Sequence, residues 1–376
     1  MAGEARVLGV QMRDFRTYAR AEASLGAGLT VVHGANGAGK SNLLEALYFG
    51  CTGRSPRTRN DRELIGFGSQ ATRVTVRLCE EDRPHELTVA FGAFSAGEQL
   101  AKRMTVDGAS VDGLLAADVR PLISVFLPDR LELVKGPPAV RRAHLDQFAA
   151  AVWPARADTR RRYSAALAQR NALLVRIRAG GSARASLSTW DRALAAVALE
   201  LRAHRAAAAE LLRAPFARHA GELGGNGTVT LDYRPRSRAE DEDGFLAELA
   251  ERLDGDLERG YTAHGPHRDE LAIRRDGRDL RAYGSQGEQR LALLALLLAE
   301  RTVLAMERRR IPLMLLDDVM SELDGQRREL LARELRAGGQ AVIATTDLSH
   351  VPGSGDRDVA RLHVRPGAVL QEALAA

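Results

Sequence analysis

The chain reads as an α/β protein whose sheet is assembled from both ends of the sequence, with a helical lobe inserted between them. Three observations predict this. Near the N-terminus, a short apolar strand at 29–33 runs into Gly34-Ala-Asn-Gly-Ala-Gly-Lys-Ser41 and then into an apolar-periodic helix at 42–50. Near the C-terminus, an apolar strand at 311–316 ends in Asp317-Asp318 and is followed by a helix at 325–337 and a strand at 340–345. Between them, residues 140–215 are rich in Ala, Leu and Arg with few internal Gly or Pro. Strands alternating with helices at both chain ends argue for one α/β sheet, and the helical middle is then an insertion.

The elements follow in order. Residues 6–12 alternate as a strand. Within 72–125, short strands at 73–78, 86–91 and 104–106 are separated by Gly, Asp and Pro turns. After Pro137-Pro138 come several helices, interrupted at Gly180-Gly181 and broken at 221–227. A strand at 228–233, a helix at 242–257 and a long helix from Ser285 lead into the C-terminal βα pattern. These changes in character place domain limits at 1–136, 137–260 and 261–376. No repeat of 20–50 residues is visible. The helices at 191–212 lack a sustained heptad, so no long coiled coil is expected.

Composition narrows the classes. A chain of 376 residues holds two or three domains' worth of core. The longest uncharged apolar run, 291–299, is far short of the ~18 residues that a membrane helix needs. Glu4 and Arg6 stand where a secretory leader would carry its apolar core. Two cysteines, Cys51 and Cys79, form no CxxC pair, which excludes a disulfide framework or a cysteine zinc site and suits a reducing cytoplasm. The net charge of +5 leans toward a polyanionic partner. Only three cations are lysines, Lys40, Lys102 and Lys135, so a lysine at a chemically meaningful place is informative.

Lys40 is at such a place. Residues 34–41 match G-x-x-x-x-G-K-[ST] between a strand and a helix. The glycines Gly34, Gly37 and Gly39 let successive N–H groups of Ala35, Asn36 and Ala38 turn toward phosphate oxygens, and the helix start adds its positive dipole end. Lys40 then pairs with β- and γ-phosphates and the Ser41 hydroxyl ligates Mg²⁺. Asp317, at the end of the apolar strand, is the natural second Mg²⁺ ligand. Asp318 is placed to orient or deprotonate a water. Taken alone, Asp317-Asp318 reads equally as a strand-to-loop turn. Tyr283-Gly-Ser-Gln-Gly-Glu-Gln-Arg290 precedes a long apolar helix, and Ser285 with Glu288 forms a capping-box pattern. The same start, through Ser285 and the Gly287 amide, suits the γ-phosphate of a nucleotide held by another copy. Ser321 and Asp324 follow and could line a facing subunit.

Phosphate loop, S-x-G helix start, acidic strand, then Ser-x-x-Asp is the order of an ABC-type P-loop ATPase head with two lobes. Within that class the chain resembles the RecF family, relatives of SMC-protein heads. The residues that carry the resemblance span nearly the whole chain. They are Asp14-Phe-Arg-Thr-Tyr18, GANGAGKSNLLE from Gly34, Gly53-Arg-Ser-Pro-Arg57, Leu133-Val-Lys-Gly-Pro137 with Arg141-Arg142 and Leu145-Asp146, Tyr261-Thr-Ala-His-Gly-Pro-His267, Ser285-Gln-Gly-Glu-Gln-Arg290 and Leu315-Leu-Asp-Asp-Val-Met-Ser-Glu-Leu-Asp324. The resemblance implies an ATP- and Mg²⁺-dependent homodimer that binds duplex or gapped DNA, works with RecR and RecO, and promotes RecA loading at single-strand gaps. It implies that Arg16 and Asn42 join residues 34–41 at ATP, and that residues 285–288 (Ser285, Gln286, Gly287, Glu288) act from the partner copy.

Four departures are visible. Asp318 stands where most ABC proteins have Glu. No Gln occurs in 126–129, no His occurs in Thr345-Thr346-Asp347, and Thr17 replaces an expected Asn. A shorter acid and a missing His imply slow hydrolysis that acts as a switch. Residues 151–215 carry twelve Arg and no Lys against four acids, densest at Arg160-Arg161-Arg162. Arg54, Arg57, Arg59 and Arg62 add a basic loop, and Arg141 and Arg142 lie just upstream of the lobe. Charge without an aromatic platform suits sequence-independent backbone contact; a solvated arginine-rich helix face gives the same pattern. His264-Gly-Pro-His267 with Asp269 reads as a structural loop sooner than as a metal cluster. A transporter's nucleotide-binding subunit, a structural SMC-like head and a small-molecule P-loop kinase are the competing readings. The first predicts a Q-loop Gln and a switch His, the second coiled-coil arms, and the third has no use for SQGEQR.

Overall fold

The computed structural model describes residues 5–94, 99–114, 119–224 and 227–372, leaving aside the side chains of 128 and 129. Glu4 and residues 225–226 of the expected break lie outside the described residues, as does the Asp129 side chain of the stretch without glutamine. In chain order the strands and helices are β1 (Arg6–Phe15), β2 (Tyr18–Ser24), β3 (Leu29–His33), α1 (Lys40–Thr52), β4 (Ala71–Glu80), β5 (Arg83–Gly92), β6 (Ala101–Val106), β7 (Ala109–Ser110) and β8 (Ile123–Phe126). Next come α2 (Glu132–Lys135), α3 (Pro138–Val152), α4 (Thr159–Arg178), α5 (Leu187–Glu222), β9 (Val229–Arg234), α6 (Glu242–Glu251), α7 (Leu253–Arg259), β10 (Glu270–Arg275), β11 (Arg278–Asp279), α8 (Leu280–Tyr283) and α9 (Gln286–Arg308). The chain closes with β12 (Leu313–Asp317), α10 (Gly325–Arg336), β13 (Ala341–Thr345), β14 (Ala360–Arg365) and β15 (Ala368–Gln371).

The chain divides into two compact units, 1–130 with 304–376, and 131–303. In the first, an antiparallel sheet of order β2-β1-β4-β5-β6-β7 and a mostly parallel sheet of order β15-β14-β3-β13-β12-β8 enclose α1. Alternation sorts the first sheet: Val10, Met12, Val74, Val76, Leu87 and Val89 turn inward and are buried. β12 and β13 are buried along their whole length, as expected of parallel strands covered on both faces. Helix α1 is apolar nearly all round (Leu43, Leu44, Ala46, Leu47, Phe49 and Cys51 are all buried) because it has a sheet on either side. Gln340 ties the sheets together. Its amide accepts from Val7 N at 2.7 Å and donates to the carbonyls of Val7 at 2.8 Å and Gly26 at 2.7 Å. Among the described residues, no helix is long and apolar enough to cross a membrane.

The second unit packs α4 against α5, a short helical hairpin whose turn includes Gly180 at φ 77°. Arg170 is buried in it: Nε donates to Asp191 at 2.7 Å, and one terminal nitrogen reaches Asp256 at 2.9 Å and Thr262 at 2.7 Å. β10 pairs with β9, setting Leu271 opposite Tyr233, and Arg141 of α3 holds Glu270. For that reason residues 261–303 pack with the helices, and the unit is larger than the 137–260 that composition marks out.

Two further differences are local. The helix expected over 242–257 is two helices that meet at Arg252, the C-cap of one and N-cap of the other. The hairpin β14–β15 is not predicted, although Pro366-Gly367, with Gly367 at φ 75°, is its turn signal.

Candidate nucleotide site

β3, β13 and β12 lie side by side and parallel, with His33 opposite Thr345 and Asp317 opposite Ala344. Their C-terminal ends form the crevice where ligands sit in parallel sheets. From β3 the chain turns through residues 34–39 into α1. Gly39 has φ 117°, and a Cβ there would lie 2.8 Å from the Tyr18 hydroxyl, which donates to the Gly39 carbonyl at 2.9 Å. Gly34 has φ 155°, and a Cβ there would meet the Val364 carbonyl at 2.3 Å. No side chain caps α1, so its first N–H groups face the loop.

Lys40 is buried and donates to the carbonyls of Gly34 at 2.8 Å and Ala35 at 3.0 Å. Burial pushes its ammonium down, against the pull of Asp317 and Asp318. Ser41 Oγ donates to Asp317 Oδ2 at 2.6 Å. Burial pushes the Asp317 carboxyl up, and the neighbouring Asp318 adds to this. Asp318 adopts φ 51°, and its Oδ1 is buried with no hydrogen-bond partner. A buried orphan oxygen beside a hydroxyl and a carboxylate is a hard-oxygen donor set that suits Mg²⁺. Two charged groups disfavoured by burial, one of each sign, suit a ligand that carries both phosphate and cation.

Glu45 is the residue whose role the sequence motifs alone do not expose. It is fully buried on α1 and accepts from Arg16 twice (2.9 and 2.8 Å), from Arg57 at 3.2 Å and from Ser55 at 2.6 Å. Arg57 also donates to Asn42 at 3.0 Å, and Asn42 donates to Thr17 at 3.0 Å. Arg16, Thr17, Asn42 and Arg57 therefore line one cavity of about 1240 Å³ beside the loop. The signal available in sequence was Glu45 at i+3 from Asn42, on the same helix face.

The start of α9, in the second unit, is the expected capping box. Glu288 N donates to Ser285 Oγ at 3.3 Å, and Ser285 N donates to Glu288 Oε2 at 2.8 Å. That N–H holds the Glu288 carboxyl below its ordinary range. Ser285, Gln286 and Gly287 are exposed, and a Cβ on Gly287 would meet nothing within 4 Å. Ser321 Oγ donates to the Asp318 carbonyl at 2.8 Å, and Asp324 caps α10 through Arg327 N at 2.9 Å.

The candidate DNA contacts separate by burial. Arg141, expected on that face, is buried instead. It is spent on Glu270 (2.8 and 3.1 Å) and on the carbonyls of Val134 and Gly136, so it offers nothing to a phosphate. Arg142 is half-buried and donates to the Asp269 carbonyl at 2.7 Å. Arg160, Arg161 and Arg162 are exposed, but each faces an acid: Asp146, Asp158, and Asp158 with Glu200. Arg54 is exposed. In the His264–His267 loop both imidazoles are hydrogen-bonded within the protein. His264 meets Glu248 at 2.7 Å. His267 Nε2 donates to the Thr262 carbonyl at 2.9 Å, so Nδ1 accepts from the Tyr163 hydroxyl at 2.7 Å.

This geometry makes two predictions. Glu45→Ala leaves two arginines without their carboxylate. It should cost about 2–3 kcal/mol, less than a fully buried pair because both arginines reach solvent. Urea unfolding measures the loss, and faster tryptic cleavage at Arg57 and Arg59 should accompany it. Burial pushes the His267 imidazole down to about 4. The unfolded chain therefore binds the extra proton first, and stability should fall by about 2–3 kcal/mol as pH drops from 6.5 to 4. His267→Gln should flatten that part of the stability–pH curve; an unchanged slope would assign it to other groups.

Residues 7–356 match the RecF/RecN/SMC N terminal domain. The DNA replication and repair protein RecF of Heliobacterium modesticaldum is 35% identical over 92% of this chain and 93% of its own length. That of Myxococcus xanthus is 36% identical over 98% of both. The solved structure of the recombination mediator protein RecF-ATP in the RecFOR pathway superposes with a TM-score of 0.86 at 26% identity, covering 99% of each chain. An SMC head bound to the C-winged helix domain of ScpA shares the fold, with a TM-score of 0.58 at 17% identity. By sequence and fold, the chain belongs to the RecF family of DNA replication and repair proteins.

Proposed function

We propose that this chain is an ATP-dependent, DNA-binding recombination mediator whose ATP-closed homodimer binds duplex or gapped DNA. It works with RecR and, through it, RecO, and promotes RecA loading at single-strand gaps. The observation that carries this reading is the Ser41–Asp317 hydrogen bond at the mouth of the glycine loop, with the orphan oxygen of Asp318 beside it. The loop amides and Lys40 bind the β- and γ-phosphates. Arg16 and Asn42 stand at the cavity next to them. Ser41 and Asp317 would hold Mg²⁺, which when bound supplies charge neutralisation at the phosphate oxygens. Asp318 orients the attacking water. Its side chain is one carbon shorter than the Glu of most ABC proteins, which supports a switch that turns over more slowly than the ~10 s⁻¹ median of enzymes.

One copy lacks a second set of phosphate donors in this reading. The exposed Ser285 and Gly287 of a second copy provide it: a helix start with open amides, held rigid by its own capping box. ATP then joins two copies and hydrolysis parts them. The two cysteines are unbridged, which suits the cytoplasm as the compartment.

Two substitutions separate binding from closure. Lys40→Ala should weaken ATP affinity about 10–100-fold, the worth of one charged hydrogen bond. Ser285→Arg should bind ATP as the parent does yet stay monomeric with ATP in sedimentation velocity. A dimer that still forms with ATP in the Ser285→Arg protein would sink the second-copy model.

A further inference from the structure

The solvent face of the antiparallel sheet carries a row that the nucleotide site does not use. Cross-strand register sets Arg20 of β2 opposite Arg13 of β1, Arg13 opposite Arg73 of β4, Arg73 opposite Ala90 of β5, and Ala90 opposite Arg103 of β6. All four arginines are exposed. At ~4.8 Å per strand, the row spans about 19 Å across the twisted sheet.

Like charges directly opposite each other destabilise a strand pair unless something of opposite sign lies between them. Among the described residues, Arg13, Arg20 and Arg73 form no ion pair. The nearby acids are engaged elsewhere. Glu22 is held by Arg77 at 2.5 Å and by Gln11 at 3.3 Å, and Asp14 accepts from Ser69 at 2.9 Å. Arg103 lies over the Phe94 ring at 4.2 Å, which props its guanidinium at the end of the row. The next row on the same face runs through Glu22, Gln11, Thr75, Thr88 and Thr105; Gln11 donates to Glu22 at 3.3 Å, and the buried Thr75 shares a 2.9 Å hydroxyl hydrogen bond with Thr88.

We propose that this sheet face is a contact for the phosphate backbone of duplex DNA, carried entirely by the first compact unit. The inference rests on the DNA-binding reading above and adds a surface to it. A row of exposed cations, with no ion-pair partner among the described residues at three of its four members, offers the charge that phosphate oxygens take. One DNA strand presents a charge per ~3.4 Å of axis, so the row faces several successive phosphates. The row has no exposed large apolar side chain of the kind that anchors an acidic peptide.

The test uses the full chain carrying Arg13→Gln, Arg20→Gln and Arg73→Gln together, with a fluorescein-labelled duplex in a salt series. Duplex affinity should fall at least ~10-fold. The slope of log affinity against log salt should drop by about 2–3, at roughly 0.9 for each phosphate that is no longer neutralised. ATP affinity should stay as in the parent. The thermal midpoint should hold or rise, because repulsion has been removed. Parental affinity and slope in the triple variant would overturn the proposal. So would a lower thermal midpoint, which would make the arginines structural. Polyglutamate that binds through these arginines while duplex does not would assign the face to an acidic protein. A parent protein that ignores duplex altogether would instead remove the DNA reading itself, and the stripe with it.

Discussion

Ser41 and Asp317 stand 276 residues apart, and their 2.6 Å hydrogen bond forms because β3, β13 and β12 run parallel in consecutive register. That register depends on burial. β12 and β13 are apolar on both faces and find a stable place only between covered neighbours. α1 covers them on one side and is itself apolar nearly all round beyond its first turn, Glu45 excepted, because the antiparallel sheet closes over it. The polar chemistry of the site is thus confined to the strand ends, where backbone turns replace side-chain packing. Glycines occupy those turns where a Cβ would strike Tyr18 or Val364.

Burial also sets the electrostatics. Lys40 and Asp317 are each disfavoured in their charged forms, and Asp318 keeps one oxygen unpaired. Such a site is poor at resting alone and good at accepting a ligand that brings phosphate and a divalent cation together. Around it, Glu45 fixes Arg16 and Arg57, so the basic loop after α1 is tied to the same helix that carries Lys40 and Ser41. Anything that draws Arg57 away must first outcompete a buried carboxylate and Asn42.

Much of this was legible in the residues. The apolar strand into a glycine-lysine-serine loop, the strand ending in two acids and the Ser285–Glu288 box each carry their geometry locally, and each forms as read. What was not legible depends on distant partners. Arg141 looks in sequence like Arg142 beside it and the exposed arginines that follow; only Glu270, 129 residues away, shows it to be a buried clamp. Residues 261–303 look like the start of the C-terminal βα pattern, but β10 is drawn to β9 and so to the helical unit. The arginine row on the sheet face is invisible in one dimension, because its members come from four strands that only register aligns.

We propose that one chain holds only part of the ATP site and that a second copy completes it. Steady-state ATPase activity per molecule, followed as protein is diluted at saturating ATP and Mg²⁺, tests it most directly. Specific activity should fall as the protein is diluted below its dimer dissociation constant, in step with loss of the dimer in sedimentation. A specific activity that stays constant into the monomeric range would contradict it, since hydrolysis would then be complete within one chain.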